Sequence, residues 1–282
     1  MSSQSPAISV LIATYNHLDA LKICLTSMER QSFTDFEVII ADDGSGPQVG
    51  AWIKTEGQKL PFVMHHLWQE DQGFRKCRLL NRAILEARGE YLVFLDADCI
   101  QAQDFLEQHW RHREKGRYLG ARRVMISKVL AATVTSEMVR RGMFDRLSFW
   151  ALYHSMFGRM KYLEEVVSIL HRLRPKHPFH LLGCNFSIHK EDILAVNGFD
   201  EEYESRGGGE DTDISLRLEL SGRSMKSVRY LARQYHLGHE STESKATSLA
   251  LFRSKAAKLV NQMEAKNISS IFSRRELDVS KQ

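Results

Sequence analysis

Two short acidic groups are the residues of this chain best suited to do chemistry. Asp96-Ala97-Asp98 closes the apolar run Tyr91-Leu92-Val93-Phe94-Leu95, and Glu210-Asp211 follows Gly207-Gly208-Gly209 at the start of an amphipathic stretch. Carboxylates at i and i+2 on a strand end both sit where the strand opens into a loop, and two hard oxygen donors suit Mg2+ or Mn2+ carrying phosphates. Without a cation, two carboxylates closing a buried strand would repel each other, so a purely structural use is the weaker reading. The Glu-Asp pair is placed to take a proton from an attacking hydroxyl; its bland counterpart is a capped helix N-terminus. Together the groups point to chemistry on a nucleoside diphosphate.

Such groups need rigid elements to hold them. Ile8 to Ala13 and Phe36 to Ala41 are short apolar runs of the kind that form parallel strands buried on both faces. The first is followed by a helical pattern at Leu18, Leu21, Leu25 and Met28, and the second by the turn residues Gly44-Ser45. A helix over 47–60, a strand from Phe62 to Leu67, a helix from Leu79 to Ala87 and the Tyr91–Leu95 strand complete an alternation of strand and helix. The expected fold is α/β: a doubly wound, mixed but mainly parallel sheet with helices on both faces and ligands at the carboxyl ends of its strands. From Ser136 to Leu173 the apolar residues recur every three to four positions, which predicts one or two amphipathic helices. Pro175 and Pro178 end that pattern before a returning strand expected over Leu181–Ile188. A helix over Asp211–Leu220, an extended stretch over 228–236 and a basic helical tail from Ala246 follow. The expected organisation is a nucleotide-binding half (1–120), a basic helical insertion (121–180), an acceptor-binding half (181–245) and the tail (246–282).

The 282 residues carry a net charge of +4, unevenly distributed. Residues 111–180 hold 15 basic and 5 acidic side chains, whereas residues 1–110 hold 9 basic and 15 acidic ones. A basic middle beside acidic chemical segments suits an anionic surface or a phosphate-bearing acceptor; solvated helix faces are the plain alternative. The four cysteines, Cys24, Cys77, Cys99 and Cys184, have no paired spacing, which fits a reducing compartment and disfavours a disulfide framework. The opening residues have no basic stretch followed by an apolar one, and no run of eighteen apolar residues occurs, so the expectation is a cytoplasmic chain without a membrane span.

The motifs Thr14-Tyr15-Asn16, Ala41-Asp42-Asp43-Gly44-Ser45, Phe74-Arg75 through Asn81, Asp96-Ala97-Asp98 and Gly209-Glu210-Asp211 occur in one order over roughly residues 7–244. In that order they resemble the inverting glycosyltransferases of family two, which have the nucleotide-sugar GT-A fold. The second half, with its Asn185 strand, the Asn197-Gly198-Phe199-Asp200 turn, Gly-Gly-Glu-Asp and a later histidine, is similar to the galactosyltransferase-type segment of chondroitin-polymerase-like enzymes. The resemblance implies a nucleotide-sugar donor, most simply a UDP-sugar, and a surface-glycan or lipid-linked acceptor of the bacterial polysaccharide and lipopolysaccharide type. It implies that Thr14, Tyr15, Asn16, Asp42, Arg75 and Asp96 bind the nucleotide, Asp42 through the N3–H of uracil. Asp98 would ligate Mn2+ or Mg2+, completed by His236 or His239, which fall where relatives supply a metal ligand. Asp211 would be the catalytic base and Glu210 an acceptor or helix-start group. The plainer readings are an N-cap for Asp42, a surface cation for Arg75 and structural histidines.

Two other functions compete. A sugar-phosphate pyrophosphorylase on a similar fold needs a glycine-rich basic loop after the first strand, and Thr14-Tyr15-Asn16-His17 is not one. A nucleic-acid binder needs exposed aromatics among its cations, and Trp150, Tyr153 and Phe157 instead fall on the apolar stripe, so no nucleic-acid partner is expected. That stripe, with Arg140, Arg141, Arg146 and Arg159 around it, predicts either peripheral association with an anionic leaflet or packing on the catalytic domain or a second subunit.

Overall fold

The computed structural model of the chain describes residues 5–173, 180–205, 207, 209–239 and 247–256. Its strands are β1 (Ile8–Thr14), β2 (Phe36–Asp42), β3 (Val63–Trp68), β4 (Tyr91–Asp96), β5 (Cys99–Gln101), β6 (Arg117–Gly120), β7 (Val124–Ile126), β8 (Met160–Lys161), β9 (Phe186–His189), β10 (Ser224–Ser227) and β11 (Gln234–Leu237). Seven of them form one twisted sheet in the order β10-β6-β9-β4-β1-β2-β3. The pairs β4/β1, β1/β2 and β2/β3 are parallel, and β9 runs antiparallel to β4 and β6. β1 and β2 are buried along almost their whole length, the signature of strands covered on both faces. One face packs on the helix Leu18–Met28, the other on the helices Lys76–Glu86 and Gly209–Leu220. Behind the site the rings of Phe94 and Phe186 stack 4.4 Å apart, with Phe199 edge-on to Phe94, an arrangement worth about 0.5–1.5 kcal/mol per pair beyond its buried area.

The register explains why the acidic groups meet. Thr14 pairs with Asp42 and Ala13 with Asp96, so the loops after β1, β2 and β4 open at one level of the sheet edge. After Asp98 the chain turns into β5, which pairs antiparallel with β11 in a second sheet of order β5-β11-β7-β8. That pairing sets His236 opposite Cys99, and the Leu237 N–H donates to the Asp98 carbonyl at 2.8 Å. Two segments about 140 residues apart in sequence are thereby fixed to each other through backbone.

Between Ser136 and Leu173 the sequence predicts one or two amphipathic helices; the fold has short ones instead, at Ser136–Arg140, Phe149–Met156 and Leu170–Leu173, with β8 and a 3-10 turn at Leu163–Val166 among them. Gly142, Gly158 and Tyr162 adopt positive φ at the breaks, and Thr135 and Ser148 cap the new helix starts. The apolar stripe splits accordingly: Met160 and Leu163 join a core with Ile126 and Tyr235, while Tyr153 and Phe157 face outward. The expected helix over 47–60 stops at Thr55, with a 3-10 turn following. The strand expected over Leu181–Ile188 begins only at Phe186, and the extended stretch expected from 228 only at Gln234. Of the expected tail, residues 247–256 are helical and return Phe252 and Ala256 to the main core; the rest lies outside the described residues. No described helix is long and apolar enough to cross a membrane.

Candidate active site

A cavity of about 550 Å³ opens at the carboxyl ends of β1, β2 and β4, the place where open α/β sheets take ligands. Thr14, Tyr15, Asp43, Phe74, Lys76, Asp96, Asp98, Glu210 and His239 are in its wall. The Thr14 hydroxyl is buried there without a hydrogen-bond partner among the described residues, an acceptor and donor facing the space a ligand would fill.

One part of the cavity gathers a donor set that could hold a cation. Asp98 Oδ2 lies 3.3 Å from His236 Nε2 and 3.2 Å from His239 Nε2. Ligand atoms of the three residues all lie within 4.8 Å of one another. Separations near 3 Å are those along the edge of an octahedral shell with bonds of about 2.1 Å, and a carboxylate with two imidazoles suits Mn2+ better than Mg2+. Burial would raise the Asp98 carboxyl, but hydrogen bonds from His236 and His239 outweigh it and hold it well below the usual carboxylate range. His236 is buried with its Nδ1 unpartnered among the described residues, and His239 is in the cavity wall with its ring edge-on to His17. Both histidines are therefore brought to Asp98.

The opposite end behaves inversely. Burial, then repulsion from Asp211, pushes the Glu210 carboxyl up to about 7, and its Oε2 is buried without a partner among the described residues. Asp211 is also raised by burial, against the pull of Lys76 and a 2.8 Å hydrogen bond donated by the Gly183 N–H. A side chain at Gly183 would put its first carbon 2.2 Å from Asp211 Oδ1, so only glycine leaves that carboxylate in place. Gly209 is needed for packing: a Cβ there would meet Ser248 and Tyr203 at 2.6–2.9 Å. Between the poles sits Lys76, its Nζ 2.6 Å from Asp96 Oδ1. Burial would lower its pKa, but Asp96, Asp211 and Glu210 more than reverse this, so the ammonium stays protonated.

The remaining expected nucleotide residues divide. Tyr15 is in the wall, its hydroxyl donating to Asp71 Oδ2 at 2.9 Å. Asn16, at φ +54°, instead ties two loops together: its N–H donates to Ser45 Oγ and its Oδ1 accepts from the Gly46 N–H. Asp42 is sealed from solvent, Oδ1 accepting from the Ser45 N–H at 2.8 Å and Oδ2 lying 2.9 Å from His66 Nε2. Its neighbour Asp43 faces the cavity, held by the Arg75 N–H and the Gln69 amide. The Arg75 guanidinium is not itself in the wall but pairs at 3.3 Å with Glu204, which is. Sequence reasoning thus assigned no role to Asp43, Lys76 or Gly183, although Asp43 and Lys76 both lay in quoted motifs, Ala41 to Ser45 and Phe74 through Asn81.

A mixed, mainly parallel sheet with helices on both faces and an Asp-x-Asp loop at its edge defines the GT-A class. Solved structures of that class agree in fold. The likeness is 17% in sequence at a TM-score of 0.61 to Staphylococcus aureus TarS 1-349 in complex with UDP-GlcNAc, over 96% of this chain and 69% of that one. It is 16% at a TM-score of 0.55 to the mannosyltransferase PcManGT of Pyrobaculum calidifontis in complex with GDP-Man and Mn2+, over 97% and 67%. Residues 9–171 match the model of glycosyl transferase family 2, and residues 165–240 that of the N-terminal domain of galactosyltransferase. The chain belongs to glycosyl transferase family 2. It is 32% identical over 236 residues to the amylovoran biosynthesis glycosyltransferase AmsB of Erwinia amylovora, covering 82% of this chain and 70% of AmsB. It is 24% identical over 250 residues to Escherichia coli chondroitin synthase, covering 81% of this chain but 34% of that protein. It spans 62% of the glycosyltransferase YfnE of Bacillus subtilis, at 24% identity over 78% of its own length.

Proposed function

We propose that the chain is an inverting glycosyltransferase that moves a sugar from a nucleoside-diphosphate donor, most simply a UDP-sugar, to a hydroxyl of a surface glycan or lipid-linked precursor on the cytoplasmic side. The observation that carries this reading is that Asp98, His239 and Glu210 line one cavity, with His236 set against Asp98 and Asp211 next to Glu210 just behind its wall. A divalent cation held by Asp98, His236 and His239 would neutralise the negative charge that gathers on the departing diphosphate. Thr14, Tyr15 and Asp43 hold the nucleoside, Asp43 taking the role that the sequence gives to Asp42. Asp211, steadied by the Gly183 N–H, accepts the proton of the acceptor hydroxyl as its oxygen bonds to the sugar anomeric carbon. The bond to the diphosphate breaks on the opposite face, giving inversion. Glu210 binds the acceptor sugar, and Lys76 keeps the carboxylates from raising one another further.

A panel of UDP-, GDP- and dTDP-sugars with Mn2+, scored for slow donor hydrolysis without acceptor, tests this. Turnover of one donor that stops in excess chelator is expected. Hydrolysis of none, with release of pyrophosphate from nucleoside triphosphate and sugar phosphate, would instead make the chain a pyrophosphorylase.

A further inference from the structure

The helix Phe149–Met156 presents the wrong face to the protein for a buried amphipathic element. Phe149, Leu152, Tyr153, Met156 and Phe157 recur at the i, i+3, i+4, i+7, i+8 spacing that normally faces a core. Here they face solvent, Phe149 at 92% and Met156 at 82% exposure. The inward face is carried by Ala151, Trp150 and His154, with the Trp150 ring 5.6 Å from Phe144. Leu147, also exposed, extends the patch. A contiguous exposed apolar surface of this kind marks a contact with something else.

Charge decides what covers it. Arg146, Arg159 and Lys161 are exposed around the patch and form no ion pair among the described residues, whereas Arg140 lies 3.7 Å from Glu29 and Arg141 2.7 Å from Glu137. A two-fold contact with a second copy would bring this face onto itself and set like cations against each other. Single-stranded nucleic acid would stack on Tyr153 and Phe157 but leaves Leu147, Leu152 and Met156 without planar partners. A leaflet of anionic phospholipid matches both halves, taking the apolar side chains below the headgroups and pairing the cations with phosphates.

We propose that the outward face of the Phe149–Met156 helix, with Arg146, Arg159 and Lys161, docks the protein on an anionic bilayer. This needs no assumption about the donor or acceptor, because vesicle binding is measured without either. The test is flotation of the full chain with phosphatidylcholine vesicles, with and without one quarter phosphatidylglycerol, at low and high salt. Binding is expected only to the anionic vesicles and weakens with salt. Arg146, Arg159 and Lys161 together changed to Gln should lower partitioning about fivefold per cation removed, and Phe149→Ser with Met156→Ser should abolish it while donor hydrolysis is unchanged. Absence from anionic vesicles at low salt overturns the proposal, as does binding that survives the double serine variant. Self-association or oligonucleotide binding lost in that variant, with no vesicle binding, also overturns it and assigns the face to that partner.

Discussion

Two groups of carboxylates at the cavity are held in opposite electrostatic states, Asp98 just after β4 and Glu210 with Asp211 in the first turn of the helix Gly209–Leu220. Asp98 is held far below its ordinary pKa by His236 and His239, whereas Glu210 is driven up to about 7 and Asp211 is raised with it. The difference lies in the partners. Two imidazoles, His236 on β11 and His239 just after it, hold Asp98 as an anion, whereas two adjacent carboxylates sharing one lysine have their protons held more tightly. Lys76 is the link, since it is paired with Asp96 and also pulls on Glu210 and Asp211. The contrast teaches that side chains of one type are set in opposite protonation states by neighbours far away in sequence, and the proposed function assigns them leaving-group and proton-transfer roles accordingly.

Breaking the proton-accepting end should have the largest effect on rate. Asp211→Asn should lower kcat by ~10²–10⁴-fold. Next comes the link: Lys76→Met leaves three carboxylates without their ammonium. It should lower kcat/KM about tenfold at neutral pH and move the acid limb of its pH profile upward, because the raised carboxyls then hold their protons to higher pH. Lys76→Arg should restore most of both, and an unshifted limb in Lys76→Met would disconnect the two ends. The smallest effect is thermodynamic. The fold favours protonated Glu210, so its contribution is full below an ordinary pKa near 4.5 and is lost as pH rises through about 7. Glu210→Gln should therefore raise the melting temperature at pH 8 by several degrees, for a gain on the order of 2 kcal/mol, and by much less at pH 5. An equal gain at both pH values would mean that Glu210 is ionised throughout.

The half of the site on β1, β2 and β4 was legible because those strands are long and apolar on both faces, so their ends could be placed within a residue or two. β5, β7 and β8 are two or three residues each, too short to show a period, and they form the sheet that carries His236 to Asp98. The strand expected from Leu181 starts late because Leu181 to Asn185 are used otherwise. The Gly183 N–H holds Asp211, and the Asn185 amide donates to the Arg122 and Ala232 carbonyls. Asp42 and Asp43 are chemically identical neighbours, and only the pairing of β2 with β3, which brings His66 to Asp42, decides which of them faces the cavity. Lys76 could not be told from Arg75 or Arg78 by pattern, since its role depends on carboxylates more than 130 residues downstream as well as on Asp96. In the 136–173 region helical periodicity was genuine, but it ran through glycines that adopt positive φ, and Leu147, Tyr153 and Phe157 of the stripe face outward.

The division of labour between the two ends is tested most directly by calorimetric titration of nucleoside diphosphate, with and without Mn2+, into the wild type, Asp98→Ala and Asp211→Asn. Mn2+ should strengthen binding by an order of magnitude or more in the wild type and in Asp211→Asn alike, and have no effect in Asp98→Ala, whose melting curve stays cooperative. Mn2+-strengthened binding in Asp98→Ala, or its loss in Asp211→Asn, would contradict the assignment of the cation to one end and the proton to the other.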